Sequence, residues 1–252
     1  PTFKVSVDEE SGQTIISGMG ELHLEIVVDR LLREFKVDAN VGDPQVAYRE
    51  SVVGEAEHEV LYEKQFGDIK HFAKVVLKVG SAERGSGMEF VNALTGDEFP
   101  KDFVGACEQG VREALDNGVL AGFPVIDVRV SLLNATHQED SSSELSFKTA
   151  ASICFRELCL KAEPVLLEPV MNVEVVTPDE FMGDIMGGIS GKRGKILGVD
   201  AEGKFQVIKA QVPQGELYKY STTLRSITGG RGIHTEEFSH YEEMPREMEM
   251  KV

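Results

Sequence analysis

The stretch "LLNATHQEDSSSELSF", Leu132 to Phe147, sets a histidine, a glutamine, acids and a run of serines between an apolar run and a helical pattern. His137, Asp140 and Ser141 to Ser143 include every residue type of a nucleophilic triad, in which serine attacks, histidine takes the proton and a carboxylate orients the histidine. An acyl hydrolase built on Ser141 and His137 is the chemistry that would follow. Against it, a nucleophilic serine needs a sharp strand-to-helix turn with backbone donors, and no G-x-S-x-G elbow is present. Ser141 with Glu144 three residues on fits a capping box, a structural task that occupies the hydroxyl. The start of that helix still offers oriented N–H groups and partial positive charge, which suit a phosphate-rich partner.

A second stretch, "EKQFGDIKHFAKV" (Glu63 to Val75), interleaves Lys64, Lys70, His71 and Lys74 with Phe66 and Phe72. Bases met together with phosphates call for that mixture of cations and aromatic rings. An ordinary hairpin whose lysines lie along apolar surface has the same composition.

Two glycine-rich stretches promise less. "GGISGKRGK" (Gly187 to Lys195) has Met186 and Arg193 where a phosphate loop needs glycine and Ser or Thr. It reads as a helix end, with Asp179 and Glu180 at the start and Lys192, Arg193 and Lys195 at the finish, matched to the macrodipole. An exposed RNA or protein contact is the other reading of those cations. "GMGELH" (Gly18 to His23) lacks the last glycine of a dinucleotide fingerprint, and a tight strand-to-helix turn explains its glycines. His23 beside Glu21 or Glu25 falls short of the convergent ligands zinc wants. No catalytic residue, metal or cofactor is expected within these residues.

The elements that would position these groups fit an α+β, multidomain chain of 252 residues. No stretch approaches the roughly 20 apolar residues of a membrane span, and nothing resembles a signal peptide, so a cytoplasmic protein without membrane partners is expected. Cys107, Cys154 and Cys159 read as reduced core residues. A formal charge of −17 excludes binding to nucleic acid by bulk electrostatics, so any RNA contact must be local.

Along the chain, strands are expected around Phe3 to Val7 and Thr14 to Ser17, a helix from Glu21 to Phe35 burying Leu24, Val27, Val28, Leu31 and Phe35, and a returning strand at Val37 to Val41. The opening inside a strand, without methionine, is expected of part of a longer protein. The middle region carries strands at Phe72 to Val79 and Phe123 to Leu133, a helix ending on Gly118, and a second helix opening at Ser141. "EPVLLEP" (Glu163 to Pro169) reads as a boundary. The last region gives strands at Val170 to Val176, Lys195 to Val199, Phe205 to Val212 and Ile233 to Tyr241, with helices at Pro178 to Ser190 and Gly215 to Thr228. That order is a split βαβ, or ferredoxin-like, layout, and the acidic end reads as a solvated tail.

"DEESGQTIISGMGELHLEIVVDRLLREFKVDANVGDPQVAYRES", "GVLAGFPVIDV", "SSELSFKTAAS", "PVLLEPVMNVEV" and "GDIMGGISGKRGKILG" closely resemble bacterial elongation factor G. The resemblance implies a truncated ferredoxin-like domain III at 1–44, a domain IV like domain 2 of ribosomal protein S5 at 45–164, and a ferredoxin-like domain V with an acidic tail at 165–252. It implies no enzyme in this fragment. GTP and magnesium would belong to a G domain elsewhere in the parent GTPase, with the G domain and domain II as intramolecular partners.

It further implies that the tip of domain IV enters the small-subunit decoding centre during translocation, beside 16S rRNA, A-site tRNA and mRNA. Lys70, His71, Phe72, His137 and Gln138 are then the candidate RNA contacts. Domain V would meet the sarcin-ricin loop of 23S rRNA and the stalk base, through Lys192, Arg193, Lys195, Arg225 and Arg231. The tip departs from the family pattern: Ile69 in "GDIKHFA" stands where a glycine-rich loop carries an arginine, and "HQEDSSSE" places His137 at a tyrosine and Gln138 at a histidine. A divergent second elongation factor G, used in ribosome recycling, protection or rescue, is the alternative.

Overall fold

The structure is a computed structural model that describes residues 3–96 and 98–252. The chain forms two compact units, Pro1–Ala47 with Glu168–His240 and Tyr48–Leu167 with Tyr241–Val252.

In the first unit β1 (Phe3–Val7) pairs antiparallel with β2 (Thr14–Gly18), and helix α1 (Glu21–Arg33) follows at once. A Cβ on Gly18 would stand 2.8 Å from both His23 Nδ1 and Leu24 Cδ2, so a larger residue at the tight entry into α1 would have to displace those side chains. Leu24, Val27, Val28 and Leu31 share the expected face but are at most half-buried, and Phe35 lies beyond the helix, exposed. The strand expected at Val37 to Val41 does not form. A strand persists only by pairing, and this segment finds no strand partner among the described residues.

The second unit is built from β3 (Arg49–Val52), β4 (Ala56–Phe66), β5 (Ile69–Ser81), β6 (Met88–Asn92), α2 (Lys101–Asn117), β7 (Val128–Thr136) and α3 (Glu144–Lys161). Its sheet runs β4-β5-β7-β6, antiparallel except for the β6–β7 pair that α2 connects. Ala73, Val75, Leu77 and Val79 of β5 and Val128, Val130 and Leu132 of β7 pack against Val111, Phe147, Phe155 and Leu158 of the helices. The helices approach closely at Gly110, where a Cβ would fall 2.2 Å from the carbonyl oxygen of Lys148. Cys107, Cys154 and Cys159 are unpaired and buried in this core, as their composition suggested.

The strand expected from Phe123 begins only at Val128. Before it, Glu50 accepts backbone N–H groups from Val119 and Leu120 on Oε2 and from Ala121 and Phe123 on Oε1, at 2.7–3.0 Å. The segment bends around that carboxylate instead of pairing in a ladder, and Asp127 leaves it at φ 57°.

The expected boundary at Glu163 to Pro169 holds the break between the two units, at Leu167/Glu168, and β8 (Pro164–Pro178) runs through it as a continuous strand. Pro164 to Leu167 pair with β3 in the second unit. The acidic end is largely exposed, as a solvated tail would be, but it is anchored: Met244 is buried, its N–H donates to the Leu166 carbonyl at 2.9 Å, and a short helix follows at Arg246–Glu249.

The remainder of the first unit continues β8 with α4 (Met182–Gly191), β9 (Lys195–Glu202), β10 (Phe205–Pro213), α5 (Tyr220–Thr228) and β11 (Ile233–Glu243). The sheet order β11-β8-β10-β9 is the ferredoxin-like arrangement that the sequence order announced. Each expected helix opens with a 3₁₀ turn, at Asp179–Phe181 and Gln214–Glu216, so α4 and α5 are shorter than read from the sequence. Gly229 closes α5 in the left-handed conformation, φ 59°. Val173, Val175, Ile208, Ala210 and Val212 of the sheet bury against Ile185, Ile189 and Leu224 of the helices. The chain is thus a mixed α+β, multidomain protein.

Candidate nucleic-acid interface

β4 and β5 form a long hairpin closed by a two-residue turn, Gly67-Asp68, with Phe66 directly opposite Ile69. Gly67 sits at φ 62°, the left-handed backbone that such a turn demands. The sequence order that places Lys64 opposite His71 and Gln65 opposite Lys70 follows from this register. Lys64 and Lys70 are exposed, while His71 and Phe72 are half-buried.

The loop before α3 meets the hairpin at Phe72. The Phe72 N–H donates to the Ser141 carbonyl at 2.8 Å, and the Phe72 carbonyl accepts the hydroxyls of Ser142 at 2.8 Å and Ser146 at 3.1 Å. Ser142 Oγ also accepts the Gln138 N–H at 2.9 Å. Two loops distant in sequence are therefore fastened into one tip.

Helix α3 is capped by Ser143, not by the expected Ser141. Ser143 Oγ accepts the Ser146 N–H at 3.1 Å and Ser146 Oγ accepts the Ser143 N–H at 2.9 Å, so the reciprocal capping is made by two serines. Ser141 instead gives its hydroxyl to Gln138 Oε1 at 3.0 Å. His137 makes T-shaped ring contacts with Phe99 and Phe103, at centroid distances of 5.7 and 6.0 Å. That arrangement leaves the triad geometry unmade: the histidine faces aromatic rings and the serine faces an amide.

The basic candidates of the last region are largely engaged within the molecule. Arg193 holds both oxygens of buried Glu168, Nη1 at 2.6 Å and Nη2 at 2.9 Å, and its Nε reaches Glu216 at 3.1 Å. The hydrogen bond to Glu168 raises the Arg193 pKa above its ordinary value. Lys192 donates to the Glu216 carbonyl at 3.1 Å. Arg231 lies 4.7 Å from the Phe181 ring centroid and 2.8 Å from Glu180, and Arg225 donates to the Met19 carbonyl. Lys195 is exposed at the start of β9. The sequence does not reveal these partners, because each lies more than 20 residues away or on a different element from its cation.

The residues do not fit a guanine nucleotide. A phosphate loop precedes a helix and uses its positive N-terminus, whereas Lys192 to Lys195 follow the C-terminus of α4, which carries the negative end of the dipole. Among the described residues no group of His, Cys, Asp or Glu could hold a metal ion, and no helix is long and apolar enough to cross a membrane.

Family models cover almost the whole chain: elongation factor G domain III matches residues 1–43, domain IV matches 44–163 and the elongation factor G C-terminus matches 165–252. The chain belongs to the elongation factor G family. A protein of Thermus thermophilus, known from a crystal structure, is similar over 99% of this chain with a TM-score of 0.87 and 37% identity. This elongation factor G chain spans 37% of that protein's length. In family terms the fastened tip belongs to domain IV, and the Arg193 cluster to the C-terminal domain.

Proposed function

We propose that this chain is the ribosome-engaging half of a translational GTPase, in which the domain IV tip enters the decoding centre and promotes movement of tRNA and mRNA. The single observation that supports it is the tip itself, where Phe72 is bonded to Ser141, Ser142 and Ser146 and carries Lys70, His71 and Gln138 at one end of the domain. Guanine nucleotide and magnesium belong in this reading to a G domain outside these 252 residues, and this half converts the hydrolysis event into displacement. In that role the chain works in the cytoplasm, against 16S rRNA and tRNA at the tip and the sarcin-ricin loop and stalk base at the C-terminal domain.

The test is translocation by the complete protein with alanine at Lys70, His71, His137 and Gln138. The expected result is slowed movement at unchanged GTP turnover; wild-type rates at matched turnover remove the tip from the mechanism. A second reading, recycling, protection or rescue by a divergent paralogue, is favoured by Ile69 at the position of the family's tip arginine. Complementation of a strain lacking its principal elongation factor G separates the two.

A further inference from the structure

Two exposed large side chains at the end of the hairpin, Phe66 and Ile69, are apolar. On β4 Val60 and Tyr62, and opposite them on β5 Val75 and Ala73, face the helices and contribute to the core. The alternation of a strand carries the same face onward to Lys64 and Phe66 and, across the pair, to His71 and Ile69. The face that is buried at the base of the hairpin therefore continues onto the tip. Phe66 is 63% exposed and Ile69 65% exposed, and the two stand directly opposite each other beside the turn. His71 and Phe66 form a T-shaped pair with ring centroids 5.7 Å apart, which orients the Phe66 ring.

Cross-strand aromatic and aliphatic pairs steady a hairpin, but side chains this open keep most of their surface for another molecule. The local charge says which kind. From Lys64 to Lys74 there are three lysines and one acid, in a chain whose net charge is −17. Lys74 is paired with Glu59 at 3.3 Å, Lys64 shares the face of the apolar pair, and Lys70, opposite Gln65, lies on the reverse face. An apolar platform bordered by a cation complements a flat π-face joined to phosphate. Paired bases hide their faces in the stack, whereas unpaired ones expose them.

We propose that Phe66 and Ile69 form a stacking platform for an unpaired RNA base, with Lys64 on the same face meeting an adjoining phosphate. The proposal rests on the reading of the tip as RNA-facing and names what that tip takes hold of. The platform lies where the resemblance implies an arginine, so an apolar contact replaces a charged one.

The experiment uses the complete protein bound to ribosomes and follows the dimethyl sulfate reactivity of unpaired bases as protein is titrated. Wild type is expected to protect at least one base, and Phe66→Ala to require about tenfold more protein for half-protection, the scale of one lost base–aromatic stack. Phe66→Leu keeps the bulk and loses the π-face, so it should fall with Phe66→Ala, while Phe66→Tyr should restore protection. Thermal unfolding of all three should match wild type, because the side chain is exposed. Unchanged protection by Phe66→Ala, while the variant with alanine at Lys70, His71, His137 and Gln138 loses it, overturns the platform and spares the tip reading. Full protection by Phe66→Leu overturns stacking. Unchanged protection by every variant overturns the platform and the tip reading together. Self-association abolished by Phe66→Ala in sedimentation assigns the face to a second copy and overturns the RNA base as occupant.

Discussion

Ser142 donates its hydroxyl to the Phe72 carbonyl at 2.8 Å while accepting the Gln138 N–H at 2.9 Å, so one oxygen bridges both loops of the domain IV tip. Ser142→Ala removes both bonds and leaves the Phe72 carbonyl to Ser146 alone. Net losses of about 1 kcal/mol per hydrogen bond place the local effect near 2 kcal/mol. Hydrogen exchange at the Gln138 and Phe72 amides should accelerate roughly tenfold or more, with the core amides of β5 unchanged. In the translocation assay the same variant should be slower at constant GTP turnover, and Ser142→Thr, which keeps the hydroxyl, should recover both. Unaltered exchange at Phe72 would show that the loops are held together by something other than Ser142.

Glu50 is fully buried and receives four backbone N–H groups. Glu50→Gln preserves shape but turns an NH₂ group toward two of those donors. Hydrogen bonds to a charged group contribute about 1.5–3 kcal/mol each, so losing two costs on the order of 3–6 kcal/mol. For a chain of this size that lowers Tm by roughly 10 °C. Differential scanning calorimetry measures it, and amide exchange should show Val119 to Phe123 opening first.

Burial pushes the thiols of Cys107, Cys154 and Cys159 from 9.0 up to about 12. Between those values the unfolded chain releases protons that the folded chain keeps, so the folded state binds more protons. The stabilisation is complete below pH 9 and is lost as pH rises toward 12. Tm measured from pH 8 to 11 should decline more steeply for wild type than for the triple variant with alanine at all three positions. At pH 8 a thiol held at about 12 is thiolate in roughly one molecule in ten thousand, so iodoacetamide should label the unfolded chain and spare the folded one. Equal labelling of both states would place the cysteines outside the core.

How far the sequence reaches depends on the range of the interaction. The ferredoxin-like order was legible because Pro178, Gly229 and Gly230 act on their own backbone, and the cysteines because apolar neighbours at helical spacing surround them. The capping serines were legible to within two residues: Ser141 and Ser143 both have a partner three places on, and only the positions of Phe72 and Gln138 decide which one caps. Glu50 was invisible, since its four donors lie about 70 residues away and nothing local distinguishes it from a surface acid. Val37 to Val41 failed in the opposite sense: its pattern suits a strand, but a pattern cannot supply a neighbour. Phe66 and Ile69 look like core residues because they continue the core alternation, and only the end of the helical cover makes them surface.

Arg193 illustrates how a cation that the sequence offers as a ribosome contact can serve the fold instead. Its guanidinium meets both oxygens of Glu168, a carboxylate only 5% exposed, and a third bond runs to Glu216. Arg193→Ala leaves the Glu168 charge buried without its partner, a loss of about 3–5 kcal/mol where pairs of this kind are broken. Tm should fall by roughly 10 °C, and ribosome affinity measured well below that temperature should change little. Glu168→Gln/Arg193→Ala removes the stranded charge and should recover part of the loss, which identifies the unpaired carboxylate as its source. Lys195→Ala, at an exposed position, should do the reverse: Tm within about 1 °C of wild type, since surface changes cost little, and weaker ribosome binding that grows less sensitive to salt as one phosphate contact is lost. A ribosome-binding defect in Arg193→Ala at full thermal stability would return Arg193 to the contact surface.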